Sequence, residues 1–196
     1  MRNSREGRGM KKALALLLLT AGLVAVVATS VAFADDDEGK NSFKATLNGY
    51  NEVVGSSSAT DSGSVSTGAR GTFRAKLTND GTALEFTLTY SDIEGGTVTQ
   101  AHPHFAQRHV GGSIFGFLCG GPKPACPTSE GTVEGTWTSA DIIGPAGQGV
   151  AAGSFAEFVR ALRAGAVYVN VHSSGATPSY PEGEIRGQVR GGGHDD

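Results

Sequence analysis

Hydrophobic and polar residues alternate in short runs along most of the chain after residue 42. Phe43, Ala45 and Leu47 alternate with polar residues, and the same period of two recurs at 73–77 and 84–90. A period of two places the apolar side chains on one face of a β-strand. The Asn-Asp-Gly sequence at 79–81 tolerates positive φ and predicts a hairpin between the last two runs. The pattern therefore predicts strands with one buried face.

Further apolar runs predict strands at 98–105, 113–119, 132–137, 166–172 and 184–190. A loop is expected at 173–183, which contains two prolines. One helix is predicted at 155–164, where Ser154 and Glu157 have capping-box spacing and Gly165 supplies the stop. About eight or nine short strands with one short helix indicate an all-β fold, an antiparallel Greek-key-like sandwich or barrel.

The N-terminal segment has the pattern of a secretory signal peptide. Its first residues are basic, residues 13–31 are almost wholly apolar, and Ala32-Phe33-Ala34 fits the small-x-small cleavage rule. We predict a signal peptide over 1–34 with cleavage after Ala34. The alternative is a retained membrane anchor, because the apolar run is close to the length that spans a bilayer.

Charge and composition divide the remaining chain into three parts. Residues 35–42 are predicted to be an acidic linker, 43–190 the β-domain, and 191–196 a flexible glycine-rich tail. The first 34 residues carry five lysines and arginines against one glutamate, so their removal takes the formal charge from −3 to −7. This acidity argues against nucleic acid and anionic membranes as partners. An unknown extracellular protein or surface ligand is the expected partner.

The chain has two cysteines, Cys119 and Cys126. In a secreted protein an even number of cysteines predicts a disulfide, and the segment between these two is rich in turn-forming glycine and proline. A cysteine-based metal site is the alternative, but it needs further ligand pairs that the chain lacks.

Several motifs make the chain resemble the CHRD domain, first described in chordin and found in many secreted bacterial proteins. The motifs are Ala101-His102-x-His104, Tyr168-Val169-Asn170-Val171-His172 and Pro181-x-Gly183-Glu184-Ile185-Arg186-Gly187. The resemblance covers about residues 43–190. It implies an extracellular all-β module of immunoglobulin-like or superoxide-dismutase-like shape, and it implies no settled activity.

The chain departs from the family pattern in two places. Val54 stands where the family has a proline after Glu52-Val53. Pro103 stands between the two histidines of the His-x-His motif, where the family usually has an apolar strand former. Proline has no N–H to donate, so the strand is expected to be at an edge or to end there.

The histidines are the candidate site. His102 and His104 share strand parity and therefore project from one face, and His172 ends another predicted strand. Three histidines and a water form an open zinc or copper site, and His109 is a possible fourth ligand. The structural alternative is that these histidines hydrogen-bond to loop backbone and hold the strand ends to the 173–182 loop.

The sequence predicts no catalytic residues, because no nucleophile, phosphate loop or carboxylate pair has a recognisable spacing. Glu184 and Arg186 share one face of the last strand and are expected to face solvent. The leading prediction is a secreted, non-catalytic binding or structural module of the extracellular space or cell envelope. The alternative is a zinc- or copper-binding protein that uses the His-x-His pair, with redox chemistry of the superoxide-dismutase type as a further step.

Overall fold

The structure is a computed structural model that describes residues 38–55 and 63–192. Within these residues the chain forms two α-helices, α1 (Glu38–Asn41) and α2 (Phe155–Arg163), and three short 3-10 helices at Gly49–Asn51, Ser139–Asp141 and Ala146–Gln148. It also forms nine strands: β1 (Ser42–Asn48), β2 (Arg70–Leu77), β3 (Leu84–Ser91), β4 (Gly96–Phe105), β5 (Ser113–Ile114), β6 (Gly131–Trp137), β7 (Val167–Gly175), β8 (Tyr180–Gln188) and β9 (Arg190–Gly191).

All the strand pairs are antiparallel and belong to one curled sheet. The order across the sheet is β5–β4–β7–β8–β1–β2–β3–β6, and β9 pairs with β1. The predicted all-β class with one substantial helix is confirmed. The predicted hairpin at 79–81 is also present, because β2 and β3 pair along their whole length from Arg70↔Ser91 to Leu77↔Leu84.

Two strand predictions differ from the structure. Only Ser113–Ile114 is a strand in the predicted 113–119 run, since the rest contacts β4 through single hydrogen bonds such as Leu118 N–H to Ala101 O. The predicted 173–183 loop is largely paired, because β7 and β8 extend into it. The prolines of this segment favour a loop, but a proline is tolerated at a strand end where its missing N–H lies outside the ladder.

The N-terminal predictions lie mostly outside the described residues. These are the signal peptide at 1–34 and the first three residues of the acidic linker. Regular structure begins inside the expected linker, because Glu38–Asn41 forms one helical turn and Ser42 opens β1. The tail residues 193–196 are also outside the described part.

One face of the sheet carries the hydrophobic core, as the alternation predicts. Leu47, Phe73, Leu88, Val169 and Ile185 are buried on this face, each on a different strand. Burying this apolar surface is the main favourable term in forming the sheet.

Helix α2 adds an apolar stripe to the same core. The Phe158 ring lies 4.9 Å from the ring of Phe115 and 5.2 Å from that of Trp137, measured between centroids. The predicted capping box is wrong, because the Ser154 side chain makes no capping hydrogen bond. Ser154 has φ −78° and ψ 65°, outside the extended conformation from which an N-cap side chain reaches the first turn. No helix among the described residues is long and apolar enough to span a membrane.

The predicted disulfide is confirmed between Cys119 and Cys126. Cys119 also pairs with Ala101 through an isolated antiparallel β-bridge, so the loop closed by the disulfide lies against strand β4.

Pro103 lies inside β4, and the strand does not end there. Its carbonyl accepts from the Phe115 N–H, so its nitrogen faces the side bordered only by the two-residue β5 and the segment that follows. The proline is therefore tolerated on the nearly open side of the strand.

Tyr90 gives this core a testable pH dependence. The residue is 1% exposed, its hydroxyl donates to Pro127 O at 2.6 Å, and burial raises its pKa to about 12. The unfolded chain ionises near pH 10 and then binds fewer protons than the folded chain, so stability falls as pH rises from 10 towards 12. Between pH 9 and 11 the free energy of unfolding should fall by about 1 kcal/mol less in Tyr90→Phe than in the original protein. Urea unfolding at the two pH values measures this difference.

The control for this prediction is Tyr50→Phe, since Tyr50 is 69% exposed. That variant should keep the alkaline loss of the original protein. Equal alkaline loss in Tyr90→Phe and the original protein would contradict the prediction.

Candidate functional site

The other face of strands β4, β7 and β8 carries polar side chains that are buried. In register, Asn170 of β7 lies between His102 of β4 and Arg186 of β8. The neighbouring row contains His104, Tyr168 and Gln188. We define the polar layer as Glu52, His102, His104, Tyr168, Asn170, His172, Arg186 and Gln188. All except Gln188 are buried, so this face is covered rather than solvated.

Three histidines meet in this layer. His102 and His104 share one face of β4, as strand parity predicts, and β7 places His172 beside them. His102 and His104 have ring centroids 4.6 Å apart, and His102 and His172 have centroids 4.4 Å apart. One ring nitrogen from each of the three lies within 4.8 Å of the others. We call these residues the histidine cluster. Two nitrogens bound to one ion at about 2.1 Å are at most about 4.2 Å apart, so the rings must close slightly to share a metal.

Backbone carbonyls hold two of the imidazoles. The Nδ1 atom of His104 lies 2.7 Å from Gly112 O, and Nδ1 of His172 lies 2.9 Å from Pro181 O. A carbonyl oxygen only accepts, so each Nδ1 carries the hydrogen and each Nε2 presents a lone pair when the ring is neutral. Donation of one ring N–H to a carbonyl is the usual outer arrangement around a metal-binding histidine.

The free ring nitrogens differ in their partners. His104 Nε2 and His102 Nδ1 are buried and have no hydrogen-bond partner among the described residues. His172 Nε2 lies 2.9 Å from Asn170 Oδ1. Because two acceptors cannot bond each other, a neutral His172 requires the Asn170 amide to turn its NH₂ group towards Nε2.

Burial keeps the histidines neutral. Burial, assisted by the nearby His172 and His104, lowers the pKa of His102 to about 2. Burial also lowers the pKa of His104 to about 4, although its hydrogen bond to Gly112 acts in the opposite direction. The pKa of His172 is lowered by the same cause. Neutral imidazoles have the lone pairs that a metal ion requires.

Tyr168 and Arg186 form a stack beside the histidine cluster. The His104 ring lies 4.5 Å from the Tyr168 ring at an interplanar angle of 7°, and Arg186 Cζ lies 3.3 Å from the Tyr168 centroid. Arg186 Nη2 donates to the backbone oxygens of Gln107 and Val110. A cation over an aromatic face is stabilising, and this contact partly offsets the burial of the guanidinium.

Glu52 enters the polar layer from the turn that follows β1. Its Oε1 accepts from the Val53 N–H, and its Oε2 is buried without a hydrogen bond from any residue that the structure describes. Burial raises the pKa of this carboxyl, and Arg186 and the Val53 N–H oppose the increase. Glu52 was not predicted to be a site residue, because nothing in the local pattern shows that the turn folds over the sheet.

An open cleft of about 770 Å³ borders the polar layer. His104, Tyr168 and Asn170 line it on the sheet side, and Glu52 and Glu182 contribute carboxyl groups. The cleft therefore reaches the His104 edge of the histidine cluster, and the carboxyl groups of Glu52 and Glu182 lie along it.

The other predicted site residues lie elsewhere. His109 is in the exposed loop after β4 with φ 62°, and it is not part of the histidine cluster. Glu184 and Arg186 were expected to face solvent, which is wrong, since both are buried. Glu184 accepts from the N–H groups of Glu94 and Gly95, which belong to a distant loop that covers this end of the strand.

Fold and site together define an all-antiparallel β-domain that holds a buried histidine site on the outer face of its sheet. The model of the CHRD domain family matches residues 43–189. The chain therefore belongs to the CHRD family. Comparisons with curated proteins and with solved structures gave no match. At the level of the family, membership supports an extracellular-type domain and a non-catalytic binding or structural module.

Proposed function

We propose that this chain is a secreted, non-catalytic CHRD module that acts by binding in the extracellular space or cell envelope. One observation supports binding above all. The described residues contain five buried side-chain atoms without partners, and all five belong to the polar layer: Glu52 Oε2, His102 Nδ1, His104 Nε2, Arg186 Nη1 and Gln188 Oε1. Buried polar groups are nearly always paired, so exceptions gathered in one layer support a site that a bound group completes.

Secretion is supported by the N-terminal pattern and by the disulfide. Disulfides persist in oxidising compartments and are rare in the cytosol. The proposed organisation is a signal peptide at 1–34, an acidic linker at 35–42, the CHRD domain at 43–190 and a short tail at 191–196. The strands span 42–191, which extends one residue beyond this domain range at each end.

Secretion has a direct test. Intact-mass measurement of the secreted protein should give a chain that begins at Asp35, since the small-x-small site ends at Ala34. The control is Ala34→Arg, which should block cleavage and retain the precursor. Recovery of the original protein only in membranes, at precursor mass, would overturn the proposal.

Metal binding is a second candidate function, and the histidine cluster favours it. Three neutral imidazoles converge, two of them are oriented by backbone carbonyls, and an acidic cleft leads to one edge. Nitrogen ligands of this kind suit zinc and copper. When bound, such an ion would hold an open coordination position for a ligand.

In this candidate function the chain's own residues have separate roles. His102, His104 and His172 supply the ring nitrogens, and Asn170 releases Nε2 of His172 when its amide turns away. Gly112 O and Pro181 O keep the Nδ1 hydrogens in place. Equilibrium dialysis of protein produced without a histidine tag, against zinc and copper separately, measures whether an ion is held.

A further inference from the structure

A row of positive charges crosses the sheet next to the polar layer. Lys44 of β1 lies directly opposite Arg74 of β2 on one side and Arg190 of β9 on the other. Neighbouring strands are about 4.8 Å apart, so three cations succeed one another over about 10 Å. The row therefore concentrates positive charge along one line of the outer face of the sheet.

The row forms one wall of an open groove of about 440 Å³ on the outer face of the sheet. Arg108, from the loop after β4, and Arg186 also line this groove. The described residues that line it include no aspartate or glutamate. The groove therefore contains five of the eleven lysines and arginines that follow residue 34, in a part of the chain with a formal charge of −7.

Two observations on individual residues support a ligand in this groove. Arg186 is buried and its Nη1 has no partner among the described residues, so an anion would offset the cost of burying the guanidinium. Thr46, Thr72, Asn51 and Gln188 add hydroxyl and amide groups along the same wall. These neutral groups both donate and accept hydrogen bonds, so they pair well with the hydroxyls of a larger polar ligand.

We propose that this groove binds a linear anionic polysaccharide. Four of the five cations are arginines, and the planar guanidinium pairs with carboxylate or sulfate through two parallel hydrogen bonds. A row of cations at strand spacing fits acidic groups that repeat along a polymer, and the threonine and amide side chains fit the sugar hydroxyls between them. The inference rests on the proposed binding function and names the class of ligand, and it does not depend on the histidine cluster.

The test compares two double variants that each remove two positive charges. Lys44→Gln with Arg74→Gln changes the groove, and Arg160→Gln with Arg163→Gln changes helix α2, where both arginines are exposed. Binding of the mature protein to immobilised polygalacturonate and dextran sulfate is measured at low and high salt, with neutral dextran as the polymer control. The groove variant should bind the charged polymers about tenfold more weakly, and the α2 variant should bind within about twofold of the original protein.

Several outcomes decide the proposal. Stronger binding to charged polymers than to dextran, weakened by salt and lost in the groove variant alone, would support it. Equal loss in the two variants would show an effect of net charge only and would overturn it, as would the absence of binding at low salt. Secretion and zinc dialysis are measured on the same proteins, so a failure of the groove is distinguishable from a failure of the proposed function.

Discussion

Replacing His104 with alanine should lower the zinc affinity of the mature protein by about 100-fold or more. The variant removes one of three converging nitrogens, and loss of residues that only orient metal ligands already costs about 10- to 100-fold. His104 also lies at the edge of the histidine cluster that borders the cleft. Affinity is measured by competition with a chromophoric chelator at neutral pH, where burial keeps the imidazoles uncharged.

Two controls separate ligand loss from damage to the fold. His109→Ala removes an exposed histidine of the neighbouring loop and should leave the affinity unchanged. His104→Gln keeps much of the side-chain volume, and its circular dichroism and urea midpoint show whether the sheet is intact. A folded His104→Gln protein that binds zinc as tightly as the original would remove His104 from the site.

Glu184→Gln should destabilise the domain by about 3–5 kcal/mol. Glu184 is fully buried and accepts four hydrogen bonds, from the hydroxyls of Thr67 and Ser173 and from the N–H groups of Glu94 and Gly95. Glutamine replaces one accepting oxygen with an NH₂ group that faces these donors, so buried donors lose their acceptor. Urea unfolding followed by tryptophan fluorescence measures the change.

The matched control is Glu85→Gln, which makes the same chemical change at an exposed position on β3. Surface substitutions of this kind usually change stability by less than about 0.5 kcal/mol. Similar urea midpoints for the two variants would show that Glu184 does not anchor the loops that surround it.

The shared face of His102 and His104 was predictable from strand parity, because a period of two puts both on one face whatever the fold around them. The Val-Asn-Val sequence before His172 carries the same information, since its valines face the core and Asn170 and His172 face the other side. The register between β4 and β7 then places the histidines of the two strands side by side on the same face of the sheet. The register depends on the whole sheet, so the sequence predicted the residue types of the site but not their separations.

Burial of the polar layer was not predictable from the local pattern. Alternation along β8 shows that Glu184 and Arg186 share a face opposite Ile185, and a polar face usually faces solvent. Here segments far away in sequence cover that face, through contacts such as Arg186 to Val110 O. The capping-box prediction is wrong for a related reason. The Ser154 N–H donates to Ala151 O in the preceding turn, and the Ser154 backbone lies outside the N-cap conformation.

The hydrogen bonds from the histidine cluster to Gly112 O and Pro181 O have a consequence for how the site tolerates change. Every residue type has a carbonyl oxygen, so these contacts do not depend on the side chains of the loops that supply them. Gly112 itself is constrained, since a Cβ there would lie 2.1 Å from Phe105 O. Its neighbours Gly111 and Ser113 line the cleft, and the hydrogen bonds to the histidines place no restriction on the side chains at these two positions. Libraries at those two positions could therefore change the entrance while the ring tautomers stay fixed, so the loops are the natural place to engineer selectivity.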